Sequence, residues 1–218
     1  MTKRSADSFF DGYASGFDAI YGEENQTPFQ KVLNRLFRRS MRTRFIKSME
    51  ACTPMEGKSV VDIGCGSGQY SIPLARRGAA RVVGVDFAPG MLELARKYAE
   101  SASVADRCEF VEADFWKFEA AQPFDYAVIM GVMDYIDKPA EFVKRVAGMT
   151  TGAACFSFPV DGGLLAAQRK LRYKSRCPLY MYTEPGLREL LDSVVPGQYE
   201  LQRISRDFFV TVRPSGGE

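Results

Sequence analysis

From residue 58 onward the spacing of apolar positions along the chain changes. Short β-branched runs alternate with stretches in which apolar residues recur every three or four positions. Ser59–Ile63, Arg81–Val85, Glu109–Glu112, Tyr126–Met130 and Ala153–Phe158 read as strands. Between them, Gln69–Arg77, Pro89–Ser101 and Pro139–Gly148 have helical spacing. Thr183–Val194 reads as a helix with Thr183 as its N-cap. Tyr199–Ile204 and Phe208–Val212 then read as two closing strands around a Ser205-Arg206-Asp207 turn. Strands alternating with helices predict a doubly wound, mostly parallel α/β sheet covered on both faces. The final hairpin supplies an antiparallel strand.

No internal repeat interrupts this pattern, and 218 residues suit one domain. Within it, 1–55 reads as an N-terminal helical cap, 56–160 as a ligand-binding core, 161–182 as a lid insertion, and 183–218 as the C-terminal helix and hairpin. The longest uncharged stretch, Val146 to Val160, is too short and too broken to span a bilayer. The N-terminus lacks the apolar core of a signal peptide. A soluble, cytoplasmic protein is expected.

Composition removes several chemistries. Histidine is absent, which excludes histidine triads and the commonest metal ligand. The five cysteines are scattered and never spaced as a CxxC pair, so neither a zinc site nor a disulfide framework is expected. A net charge of +2 does not by itself call for nucleic acid.

The sharpest motif is Val60-Val61-Asp62-Ile63-Gly64-Cys65-Gly66-Ser67-Gly68. An apolar strand runs into glycines at alternate positions and then into a helix, so the backbone can approach a ligand beside a helix N-terminus. A dinucleotide fingerprint would place its third glycine at Gln69. Asp62, two positions before Gly64, suits an ammonium group, so a cofactor carrying an amino-acid head fits better than a pyrophosphate. Downstream, Val82-Val83-Gly84-Val85-Asp86 ends a strand with a carboxylate suited to ribose hydroxyls. Phe110-Val111-Glu112-Ala113-Asp114-Phe115 ends the next with an acid and an aromatic suited to adenine.

In order and placement these motifs resemble those of class I S-adenosylmethionine-dependent methyltransferases. The resemblance covers about residues 55 to 160 and implies a Rossmann-like, seven-stranded fold with S-adenosyl-L-methionine as cofactor. It implies that Gly64, Gly66 and Gly68 hold the methionine part and that Asp86, followed by Phe87, takes the ribose. Asp114 and Phe115 would contact adenine, with Met91 packing on it. The segment ending at Met130 and Gly131 would border the transferred methyl group. Tyr13, in the aromatic N-terminal stretch, is a candidate for the methionine end, with helix packing as the plain alternative.

The acceptor side carries no sharp motif. Asp134 and Tyr135 follow the fourth strand and are candidate catalytic groups, while Asp134 also reads as a cap for the helix near Pro139. Basic residues concentrate in an acid-free run from Lys31 to Lys47 and again at 169–176. They read either as solvated helix faces or as attractors of an anionic or membrane-associated small-molecule acceptor. Nucleic acid is disfavoured, because no recognised binding module accompanies the charge. Gly16–Glu23, Met133-Asp134-Tyr135 and Ser157-Phe158-Pro159 resemble magnesium-protoporphyrin O-methyltransferases, with Asp134 where histidine is expected. Two other classes share the fold: a nicotinamide-dependent oxidoreductase and a non-catalytic interaction module. The glycine spacing and the retained Asp86 argue against both.

Overall fold

A computed structural model of the chain describes residues 28–163 and 178–214, with side chains from residue 40. In chain order the elements are α1 (Pro28–Ala51), β1 (Ser59–Ile63), α2 (Ser71–Arg76), β2 (Arg81–Asp86), α3 (Pro89–Ser101), β3 (Cys108–Glu112), β4 (Phe124–Ile129), α4 (Pro139–Gly148), β5 (Thr150–Pro159), α5 (Glu184–Val194), β6 (Tyr199–Ile204) and β7 (Asp207–Val212). The strands form one sheet in the order β3-β2-β1-β4-β5-β7-β6. Strands β1 to β5 pair in parallel, and β7 runs antiparallel to both β5 and β6.

Alternation within the strands explains the two apolar layers. Val61, Ile63, Val83, Val85 and Ile129 point to one face and pack with Phe142, Val146, Leu187 and Leu191 of α4 and α5. Val60, Val82 and Val128 point to the other and meet Leu74, Leu92 and Ala95 of α2 and α3, with Met49 and Cys52 at the end of α1. Because both faces are covered, β1 is buried over Val60–Ile63, as expected of a central parallel strand. Asp125 pins the start of β4 to β1, accepting hydrogen bonds from the Ser59 N–H at 2.8 Å, the Ser59 hydroxyl at 2.9 Å and Lys58 Nζ at 2.9 Å.

Several element ends lie one to three residues from the expectation, and two of them have a visible local reason. Helix α2 begins at Ser71 rather than Gln69, where the carboxylate of Asp62 receives the Ser71 N–H. Asp207, expected in the turn, is the first residue of β7, paired with Ile204 and with Pro159. The hairpin therefore turns on Ser205 and Arg206 alone, with Ser205 at φ 54. Thr183 does cap α5, its hydroxyl accepting the Gly186 N–H at 3.4 Å.

The chain moves outward from β1 to β3, then crosses back to lay β4 on the other side of β1. Ligands bind open α/β sheets at such a reversal, beyond the carboxyl ends of the strands.

Candidate active site

The glycine loop occupies the reversal point. Gly64 and Gly66 have φ of 71° and 52°, a region that side chains rarely adopt. At Gly64 a Cβ would also collide with Val132 Cγ2, so the loop and the segment after β4 lie in direct contact. Around Gly66 the nearest atom to such a Cβ is Met91 Cε at 3.8 Å, which leaves its backbone approachable. The loop is tied to β2 through the Gly64 N–H, which donates to the Val85 carbonyl at 2.8 Å.

Asp86 continues that tie. Its carboxylate accepts the Gly66 N–H at 2.8 Å and the Ala88 N–H at 3.0 Å. Burial raises its pKa, and the backbone donors at Ala88, Gly66 and Phe87 oppose the rise. Phe87 next to it is 38% exposed. Met91 is buried on the first turn of α3, close to Gly66.

Asp62 lies differently from the expectation. Only 1% exposed, it accepts the Ser71 hydroxyl at 2.6 Å and the Ser71 N–H at 3.0 Å. Its observed partners belong to the first turn of α2, so it braces the loop from beneath rather than facing an open ligand site. Burial pushes its pKa up to about 7, against the lowering effect of the Ser71 hydrogen bonds.

At the end of β3 the two expected adenine contacts separate. Asp114 is exposed and accepts the Trp116 N–H at 2.9 Å, capping a short 3-10 turn. Phe115 is turned into the core: its ring centroid lies 4.3 Å from that of Phe142, and the Arg145 guanidinium carbon is 5.4 Å from it. A ring enclosed in this way has no free face for adenine. The ring turns to the face of the sheet on which Phe142 of α4 packs.

After β4, Met130 is half-buried and Gly131 donates its N–H to Ser157 Oγ at 2.8 Å. Asp134 is 3% exposed and its carbonyl accepts the Tyr180 N–H at 2.8 Å. It does not cap α4, whose N-cap is Lys138 with no side-chain bond. Tyr135 is half-buried on the same loop. Tyr182 donates its hydroxyl to the Met133 carbonyl at 3.3 Å, and its backbone bonds the end of β5. Burial, with Asp134 nearby, holds the Tyr182 phenol well above its ordinary pKa. Tyr180 and Tyr182 are thereby laid across the loop after β4. Tyr13 and the basic positions 169–176 lie outside the described residues.

Three participants went unassigned in the sequence reading. Val132 supports Gly64, Ser157 holds Gly131, and Arg44 donates to Ser157 from α1 at 3.4 Å. Arg44 lay within the basic run and Ser157 within a quoted motif, but only the fold brings them together.

Residues 60–151 match a family model described as "Methyltransferase domain". The ubiquinone biosynthesis O-methyltransferase of Coxiella burnetii is 30% identical over 163 residues, 74% of this chain and 63% of that one. The chain carries a methyltransferase domain. The mitochondrial ubiquinone biosynthesis O-methyltransferase of Arabidopsis thaliana is 35% identical over 107 residues, 49% of this chain and 33% of the relative. The chain thus spans from a third to under two thirds of the length of these curated relatives. Among solved structures, magnesium protoporphyrin IX methyltransferase of Synechocystis PCC 6803 with bound SAH has the same fold, at a TM-score of 0.70 and 21% identity, covering 94% of this chain and 99% of the other. The nicotinamide-dependent alternative is not favoured by these matches. No helix among the described residues is long and apolar enough to cross a membrane.

Proposed function

We propose that the methyltransferase domain of this chain uses S-adenosyl-L-methionine to methylate a hydroxyl group of a small-molecule acceptor. The observation that carries the reading is the glycine loop, closed onto Asp86 at the reversal of strand order and flanked by the exposed Phe87. The O-methyltransferase names of the curated relatives support oxygen as the acceptor atom.

The residues present fit that cofactor. The approachable backbone at Gly66 suits its amino-acid end. Asp86 has further lone pairs, beyond those given to Gly66 and Ala88, for ribose hydroxyls. Exposed Asp114 suits the adenine amino group, and Phe87 replaces Phe115 as the aromatic available to the ring. When bound, the cofactor supplies an electrophilic methyl group on a sulfonium, which is transferred by in-line displacement. The protein's share is to hold the acceptor oxygen close and aligned in a dry space. Val132 abuts Gly64, and Tyr180 and Tyr182 hydrogen-bond to the loop after β4. The acceptor proton leaves either to Asp134 or to solvent, and unchanged turnover in Asp134→Asn would dismiss the aspartate as base.

Calorimetric titration with S-adenosylmethionine, S-adenosylhomocysteine and NADH tests the reading. Saturable binding of the two sulfur compounds and none of NADH is expected; folded protein that binds neither would overturn it.

A further inference from the structure

One arginine stands apart from the solvated basic residues of α1. Arg44 is 9% exposed and projects from α1 onto the carboxyl end of β5 and the amino end of β7. Its Nε is buried and has no hydrogen-bond partner among the described residues. Asp207 Oδ2 lies 3.7 Å from that nitrogen, too far for a hydrogen bond, and this oxygen already accepts the Ser40 hydroxyl at 2.8 Å. The Arg44 bond to Ser157 is long at 3.4 Å, and Ser157 Oγ also receives the Gly131 N–H at 2.8 Å. Buried guanidinium groups are ordinarily well supplied with acceptors, so this one is under-served.

Its position gives the deficit a meaning. Gly131 directly follows Met130 at the end of β4, and a Cβ there would stand 3.8 Å from Arg44 Nη1. With glycine at 131, that residue places no side chain of its own beside the guanidinium. Asp207 on β7 is the charged group placed against Arg44, and the loop that follows Gly131 carries two acids, buried Asp134 and exposed Asp137. The chain also has no histidine to remove a proton from an acceptor hydroxyl near neutral pH.

We infer that Arg44 is a catalytic residue that binds the ionised oxygen of a phenolic acceptor, so that activation comes from stabilising the phenolate rather than from a protein base. This rests on the methyltransferase reading above. The acceptor hydroxyl loses its proton to solvent on binding. The oxygen lone pair then forms the O–C bond as the C–S bond of the sulfonium breaks, and that bond's electron pair stays on sulfur. A guanidinium does this better than a base of fixed pKa because it remains charged at every working pH.

The test uses 4-nitrocatechol, whose anion absorbs in the visible, titrated against the protein saturated with S-adenosylhomocysteine. In the wild type the bound probe should ionise at least about one pH unit below the free compound, as expected for an opposite charge at contact. Arg44→Gln should abolish that shift while leaving S-adenosylhomocysteine affinity unchanged, and Arg44→Lys should retain part of it. A shift that survives in Arg44→Gln overturns the assignment, as does wild-type protein that binds the probe without favouring its anion or fails to bind it at all. Each of these outcomes leaves cofactor binding intact. Loss of S-adenosylhomocysteine binding by the wild type would instead sink the methyltransferase reading itself. If Arg44→Gln does not fold, the wild-type and Arg44→Lys spectra still decide, since a wild type without the shift is enough to reject the inference.

Discussion

Asp86 and Asp62 end neighbouring strands yet differ in what they face. Asp86 is partly open, and Asp86→Ala removes a charged acceptor from the ribose position. Binding of S-adenosylhomocysteine should weaken about 10- to 100-fold by calorimetry, the usual worth of hydrogen bonds to a charged group. Asp62 is enclosed, and burial raises its pKa to about 7 from the ordinary aspartate value of 3.8. Between those values the folded protein holds a proton that the unfolded chain has released, so stability should fall as pH rises through that window. Asp62→Asn keeps an acceptor for Ser71 but removes the titration; thermal melts from pH 4 to 7 should show a flatter profile than the wild type. Asp86 could be read from the strand that precedes it. The enclosure of Asp62 could not, because Ser71 reaches it only after the glycine loop has turned. Phe115 shows the same limit, since the side to which it turns depends on Phe142, contributed by a helix beyond the next strand. Phe115→Leu should therefore lower the melting temperature, at a cost of about 1 kcal/mol, and leave cofactor affinity unchanged.

Among the elements, the loop from β1 to α2 is the most constrained. Gly64→Ala introduces both a left-handed backbone strain and a collision with Val132. The collision alone should cost about 1–3 kcal/mol, read as a drop in denaturant midpoint together with weaker cofactor binding. Gly148→Ala at the end of α4 meets nothing within 4 Å and should shift stability by less than about 1 kcal/mol. Strand and helix identities were legible because the β-branched runs are short and each is followed by helical spacing. The exact ends of α2 and β7 were not, because contacts made only in the fold bear on them: Asp62 accepts the Ser71 N–H, and Ser40 donates to Asp207.

Over the whole molecule, α1 runs against the direction of the strands. Its Met49, with Cys52 just beyond its end, sits in the core, whereas Ser40 and Arg44 reach the carboxyl end of β5 and the amino end of β7. The helix continues from there to Pro28, about 18 Å further at the usual rise. If the basic residues of this half draw the chain to a membrane-held acceptor, anionic vesicles should sediment it at low salt and release it as salt is raised, while zwitterionic vesicles should not retain it. Retention by neither kind would leave those residues as a solvated face.

The sheet order also sets a sequence of assembly. Strand β6 precedes β7 in the chain, yet its ladder hydrogen bonds go to β7, and β7 in turn is held between β6 and β5. During synthesis β6 therefore emerges as an edge with no neighbour and waits for the residues behind it. Strands β1 to β5 can pair as they appear, whereas the β5-β7-β6 side closes in one late, non-local step of the kind that slows folding. Pulse-labelled hydrogen exchange during refolding should protect the amides of β1 and β4 before those of β6 and β7, and a chain ending before Asp207 should leave β5 with an open flank that invites self-association.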